Sequence, residues 1–276
     1  MIPKVIHYCW FGGNSLPDLA EKCIASWKKY LPDYEIKEWN ETNFDLNCCA
    51  YVKEAYEAKK WAFVSDYARF WILYNYGGLY FDTDVEIIKD MSDIIKKGAF
   101  MGCETSDKYT SGFGMAVNPG LGIGVTSGCA LYKEILKEYN CSHFLNDDGT
   151  NNYLTVVDRT TEILKRHGFI SNDKIQKVAD VYIYPKEFFC PMDYATGKVE
   201  ITENSRSIHW YDASWLDDHM KKRRMNAEKI RNLFKGNLGV RLSKLYMTAS
   251  YYWEWITTGQ WSIIKQKLQN KIIGNK

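Results

Sequence analysis

Short apolar, strand-like runs alternate with amphipathic helical stretches, and glycine pairs and Pro-Asp steps punctuate them; this pattern predicts an α/β fold on a mainly parallel sheet. In such sheets ligands gather at the carboxyl ends of strands. Two glycine-marked places, after Trp10 and around Asp82, are therefore where a site is expected.

The elements follow in order. Val5 to Phe11 reads as a buried strand closed by Gly12-Gly13. Pro17-Asp18 opens a helix to Tyr30, with Leu19, Cys23, Ile24 and Trp27 on one face. Pro32-Asp33 is a turn, and Tyr34 to Trp39 alternates like a strand. Val52 to Tyr76 is helical in two pieces, stopped by Gly77-Gly78. Leu79 to Asp82, Ala99 to Cys103 and Phe113 to Val117 are strands. Gly128 to Tyr139 and Thr160 to His167 are helices, and Ile175 to Tyr184 carries further strand-like runs.

Composition narrows the class. The chain of 276 residues is 46% hydrophobic and 25% charged, which excludes an intrinsically disordered polypeptide. It holds no stretch of about 18 uncharged apolar residues, so no transmembrane helix is expected. The start, MIPKVIHYCWFGG, lacks the pattern of a secretory signal. The 8 cysteines form no C-x-x-C pair, which argues against a zinc knuckle. They read as reduced, mostly buried thiols of a cytoplasmic protein.

Charge is divided unequally. Residues 221–276 hold 13 Lys+Arg against 2 Asp+Glu, a balance of +11, which leaves the first 220 residues at −9. Lys221-Lys222-Arg223-Arg224 opens this tail, and Tyr251, Tyr252, Trp253, Trp255 and Trp261 follow. Basic residues with such aromatics fit an anionic membrane surface, peripherally on its cytoplasmic face. A solvated helical pair packed on the body fits as well. The uneven aromatic spacing fits single-stranded nucleic acid poorly, and no nucleic-acid partner is expected.

The segment Gly77-Gly78-Leu79-Tyr80-Phe81-Asp82-Thr83-Asp84 carries the chemistry. An apolar strand delivers two carboxylates two residues apart, which in extended backbone point to one side. Like charges held together call for a counter-cation. Hard oxygen ligands suit Mg²⁺ or Mn²⁺, ions that also bind substrate phosphates. Upstream, Asp66 and Arg69 share one face of the predicted helix. That places a hydroxyl acceptor beside a phosphate or sugar donor.

Four ordered motifs over residues 2 to 216 resemble the D-x-D sugar-binding glycosyltransferases. They are His7-Tyr8-Cys9-Trp10-Phe11-Gly12-Gly13, Ser65-Asp66-x-x-Arg69, Gly77-Gly78-x-Tyr80-x-Asp82-x-Asp84 and His209-x₄-Ser214-Trp215. Bacterial capsular and lipopolysaccharide transferases and fungal α-1,6-mannosyltransferase belong to this group, with clostridial glucosylating toxins as distant relatives.

The resemblance implies a GT-A, Rossmann-like catalytic domain over 1–220; it does not extend to 221–276, which by charge and aromatic content reads as a helical basic extension. It also implies retaining transfer of a sugar from a nucleoside-diphosphate sugar to a glycan or lipid-linked acceptor. By the same resemblance Trp10 stacks on the base, while Ser65, Asp66, Arg69 and Tyr80 belong to the nucleotide-sugar site. Asp82 contacts ribose and the metal shell, Asp84 ligates the metal, and His209 is a further ligand. Ser214 and Trp215 touch the departing phosphate. His7, on the buried strand, reads as structural.

Glu86, Glu104, Asp107 and Asp193 stand as unranked acidic residues for the acceptor side, and Ser111-Gly112-Phe113-Gly114 as a close approach of backbone to sugar. Two rivals are a non-catalytic carbohydrate-binding protein and a phosphatase of the haloacid dehalogenase type. The phosphatase expects Thr or Val where Glu86 stands, and a motif nearer the N-terminus.

Overall fold

A computed structural model describes residues 1–106, 114–193, 197–212, 218–234, 236–257 and 259. Two compact units divide it, Met1–Asp212 and Ala213–Lys276.

In the first unit β1 (Val5–Cys9), α1 (Asp18–Tyr30), β2 (Glu35–Trp39), α2 (Ala50–Glu57), α3 (Trp61–Tyr76) and β3 (Gly78–Tyr80) follow one another. Next come β4 (Val85–Ile87), α4 (Ser92–Lys97), β5 (Phe100–Thr105), β6 (Met115–Asn118), β7 (Ile123–Val125), α5 (Ala130–Asn140) and α6 (Val156–Arg166). The unit ends with β8 (Gln176–Val178), β9 (Val181–Tyr184), α7 (Lys186–Phe189) and β10 (Ser207–His209).

The main sheet runs β2-β1-β3-β7-β5-β9-β8, with β6 on β5. Its α/β layering is the one expected, and antiparallel pairings interrupt the parallel ones. The β2-β1-β3 half and the β5-β9 pair are parallel, whereas β7 lies antiparallel to both β3 and β5. Strand β7 escapes sequence reading because it is three residues long and glycine-flanked. Gly124 at its centre is required by packing: a Cβ there would lie 2.4 Å from Phe100 and 2.7 Å from Leu79.

Two apolar layers clothe the sheet. Helices α2, α3, α5 and α6 cover one face around Tyr51, Phe70, Tyr132 and Ile163. Helices α1, α4 and α7 cover the other around Trp27, Phe81, Ile94 and Phe189. Helix α3 is buried almost all round (Phe63, Val64, Ala68, Phe70, Ile72 and Leu73), which fixes its orientation and hence that of Asp66 and Arg69. The expected two-piece helix breaks at Lys59, whose φ of 56° no α-helix accommodates. Helix α6 starts four residues before the expected Thr160, because the Thr155 hydroxyl caps it by accepting from the Asp158 N–H at 3.1 Å.

A second, two-stranded sheet pairs β10 with β4, with His209 opposite Val85. That register carries a residue from more than a hundred positions downstream to the end of β3.

The described residues of the second unit form a pair of helices, α8 (Asp218–Leu233) and α9 (Gly236–Thr257). Among the described residues no helix is long and apolar enough to cross a membrane.

Candidate nucleotide-sugar and metal site

The chain leaves β3 after Tyr80 and turns at Asp82-Thr83-Asp84, where the Val85 N–H donates to the Asp82 carbonyl at 3.0 Å. The two carboxylates therefore converge through a turn, not by alternation along one extended strand as expected from the sequence. His209 completes the group: one ligand atom from each of Asp82, Asp84 and His209 lies within 4.8 Å of the others. The His209 Nε2 sits 3.1 Å from Asp84 Oδ1, and the Asp212 N–H donates to Asp84 Oδ2 at 2.9 Å.

Arg69 stands behind Asp82. Its Nη2 lies 2.9 Å from Asp66 Oδ1 and 3.2 Å from Asp82 Oδ1, so one nitrogen bridges both acids. Its Nε donates to the Ser65 carbonyl at 3.2 Å, and the guanidinium lies over the Tyr80 ring at 5.0 Å. Nη1 is buried without a partner. The Tyr80 hydroxyl donates to Asp82 Oδ1 at 3.1 Å. Of the expected site residues, Ser65, Asp66, Arg69, Tyr80, Asp82, Asp84 and His209 are thus brought together.

Burial opposes charge at each of these groups, and the outcome differs with the partner. At Asp66 burial prevails over Arg69 and pushes the carboxyl up to about 7. Asp82 is raised too, by burial and the neighbouring Asp84, with Arg69 pulling the other way. At Asp84 the His209 ring outweighs burial, holding the carboxyl below the usual carboxylate range while its own pKa rises.

Two carboxylates and an imidazole suit Mn²⁺ or Mg²⁺. The fit rests on two observations: the convergence of these donors, and a His209 Nδ1 that is buried with no hydrogen-bond partner among the described residues.

Trp10 follows β1, which pairs in parallel with β3 so that His7 is level with Tyr80. It stands half-buried at the same sheet end, its indole N–H donating to the Asn14 carbonyl at 2.7 Å. Ser214, Trp215, Asp107 and Ser111 to Phe113 lie outside the described residues.

The acidic residues now separate. Glu86 accepts from Lys22 and from the Trp210 indole, each at 2.9 Å. The Asp193 carbonyl accepts from the Gly197 N–H at 2.7 Å, and its N–H donates to the Lys198 carbonyl at 2.9 Å. Glu104 is tied to the site: its Oε2 accepts from Asn118 at 2.8 Å and from the Tyr211 hydroxyl at 2.9 Å. Tyr211 packs edge-on against His209 at 4.2 Å with a φ of 51°. Asn118 holds the Gly120 N–H at 2.7 Å, and the Gly120 carbonyl accepts the Asp82 N–H at 3.2 Å. Asn118, Gly120 and Tyr211 were not foreseen. The pairing of β10 with β4 brings in Tyr211 and that of β6 with β5 places Asn118, while Asn118-Pro119-Gly120 reads in sequence as an ordinary turn.

Known proteins similar to this chain are glycosyltransferases. Residues 17–101 match the model of a glycosyltransferase sugar-binding region containing the DXD motif. Inositol phosphoceramide mannosyltransferase 1 of Schizosaccharomyces pombe is 28% identical over 111 residues, covering 36% of this chain and 33% of the relative. Inositol phosphoceramide mannosyltransferase 3 of the same yeast is 29% identical over 36% of this chain and 29% of its own length. The chain thus spans about a third of these relatives. An uncharacterized glycosyltransferase of Acanthamoeba polyphaga mimivirus is 26% identical over 69% of this chain and 78% of its own. Among solved structures, the PaToxG glycosyltransferase aligns over 60% of this chain and 69% of its own (20% identity, TM-score 0.45). A glycosyltransferase involved in glycosylation of the major capsid of PBCV-1 aligns over 80% of this chain and 100% of its own (12% identity, TM-score 0.45).

Proposed function

We propose, residues 17–101 being a glycosyltransferase sugar-binding region with the DXD motif, that the chain is a metal-dependent retaining hexosyltransferase. It takes a sugar from a UDP- or GDP-sugar and passes it to a glycan or lipid-linked acceptor, such as a capsular or lipopolysaccharide chain. The tail 221–276 keeps it peripheral on the cytoplasmic face of an anionic membrane. The observation that carries the catalytic reading is the convergence of Asp82, Asp84 and His209 beside the Arg69–Asp66 pair.

Asp82, Asp84 and His209 would hold Mn²⁺ or Mg²⁺. When bound, the cation supplies charge neutralisation for the leaving diphosphate. Arg69, locked by Asp66 and Asp82, keeps its positive charge beside the donor. Asp66 accepts from donor hydroxyls, and Trp10 offers its indole face to the base. Ser214 and Trp215 donate to the diphosphate. The bond from the anomeric carbon to the diphosphate oxygen breaks as the acceptor oxygen attacks on the same face, and the acceptor proton passes to the leaving phosphate.

The test mixes purified chain with Mn²⁺ or Mg²⁺ and a panel of nucleotide sugars. Release of the nucleoside diphosphate is expected, and Asp84→Asn should lower it by about 100-fold while leaving the circular dichroism unchanged. Turnover equal to wild type in that variant removes the metal role, and release of inorganic phosphate instead points to a phosphatase.

A further inference from the structure

The helical hairpin of the second unit has two unlike sides. Helices α8 and α9 run antiparallel: Arg223 pairs with Glu254, Asn226 donates to the Tyr246 hydroxyl at 3.0 Å, and Gly239 lies against the Arg231 backbone. At about 100° per residue, Leu238, Leu245, Trp253 and Ile256 fall within about 80° of one another on α9. Lys222, Met225, Lys229 and Leu233 do the same on α8. Each stripe stands about 110° from the seam between the helices, turned in the same sense. Because the helices are antiparallel, both stripes emerge on one side of the hairpin. The six apolar residues there are 44–76% exposed, and Lys222 and Lys229 are exposed among them. The other side carries the exposed Glu228 and Lys244 beside the half-buried Val240, Tyr251 and Trp255, the last two stacked on each other.

We infer that this side of the hairpin lies flat on an anionic lipid surface, with Leu238, Leu245, Trp253, Ile256, Met225 and Leu233 in the headgroup–acyl boundary and Lys222 and Lys229 on lipid phosphates. Charge selects the occupant. A second copy would set one +11 segment against another, whereas an anionic leaflet neutralises it. Lysines within the apolar stripe can bury their stems and keep their ammonium groups at phosphate level. The inference rests on the proposed function only for its membrane-side acceptor. Vesicle binding and donor hydrolysis are read separately, so that either can fail alone.

The experiment is sedimentation of the full chain with phosphatidylcholine vesicles, with and without phosphatidylglycerol. Binding only to the anionic vesicles, weakened by salt, is expected. Leu245→Glu with Trp253→Glu, and separately Lys222→Glu with Lys229→Glu, should each reduce partitioning about tenfold or more. Lys244→Glu, on the other side, should change it less than about threefold. Hydrolysis of a soluble donor should stay at the wild-type rate in all three. Wild-type binding by the Leu245/Trp253 variant overturns the inference, as does equal loss with Lys244→Glu. Wild-type chain that ignores vesicles but self-associates, and becomes monomeric in the Leu245/Trp253 variant, overturns it in favour of a second copy.

Discussion

Gly120 illustrates how little room the site leaves. A Cβ at this position would lie 2.1 Å from Asp82 Oδ2, well inside contact distance, while the Gly120 carbonyl holds the Asp82 N–H. Gly120→Ala is therefore expected to turn the Asp82 carboxylate away from Asp84. Donor hydrolysis should fall about tenfold or more, since small displacements of a positioned group carry large rate costs. Manganese affinity, read by electron paramagnetic resonance, should fall with it while circular dichroism keeps the wild-type form. A Gly120→Ala protein that binds manganese normally would show that Asp82 contributes nothing to cation binding. Arg69 works at the same scale. Its one nitrogen bridging two acids is what lets the buried Asp66 and the half-buried Asp82 and Asp84 coexist.

Strand β1 shows how an element carries a charge constraint. The Trp39 indole N–H donates to His7 Nδ1 at 3.1 Å, so Nδ1 must be the acceptor and Nε2–H donates to the Gly77 carbonyl at 3.0 Å. Burial lowers the His7 pKa from 6.5 to about 4, because a second ring proton would have neither water nor an acceptor. The native pKa is the lower one, so the unfolded chain takes up the proton first on acidification. Stability from His7 is complete above pH 6.5 and lost as pH falls toward 4. At pH 5 the loss is about 2 kcal/mol. In urea melts, wild type should lose that much more than His7→Gln between pH 7.5 and pH 5, and parallel losses would refute the argument. The structural role of His7 was legible from its place in an apolar run. So were the positions of β1 and β3, each read to within two residues, and the acidic pair, because strand periodicity and glycine stops are local signals. What was not legible depends on partners remote in the chain. Strand β7 inserts antiparallel between β3 and β5, Tyr211 reaches the site through the pairing of β10 with β4, and Asn118 through that of β6 with β5. The convergence of Asp82 and Asp84 comes from a turn that the D-x-D spacing does not distinguish from a strand.

At the scale of the molecule the chain is electrically two objects, 220 residues at −9 and 56 at +11. The mixed sheet, both apolar layers and the Asp82–Asp84–His209 group all lie within Met1–Asp212. Chemistry and attachment should therefore separate on cutting the chain. A protein ending at residue 220 keeps those three residues and also Ser214 and Trp215. It is expected to melt cooperatively, to bind manganese as wild type does and to hydrolyse a soluble nucleotide sugar within about threefold of the full chain. Removing the +11 segment takes away an attraction worth about 1 kcal/mol per basic residue near an anionic surface. Sedimentation with phosphatidylglycerol vesicles should then fall to the level of phosphatidylcholine alone. Transfer to an acceptor embedded in those vesicles should fall with it, while transfer to a soluble acceptor persists. If the shortened chain still sediments with anionic vesicles, attachment resides in the first 220 residues and the tail has another partner. If it binds neither manganese nor donor, the tail completes the site, and the division of labour between the two parts is wrong.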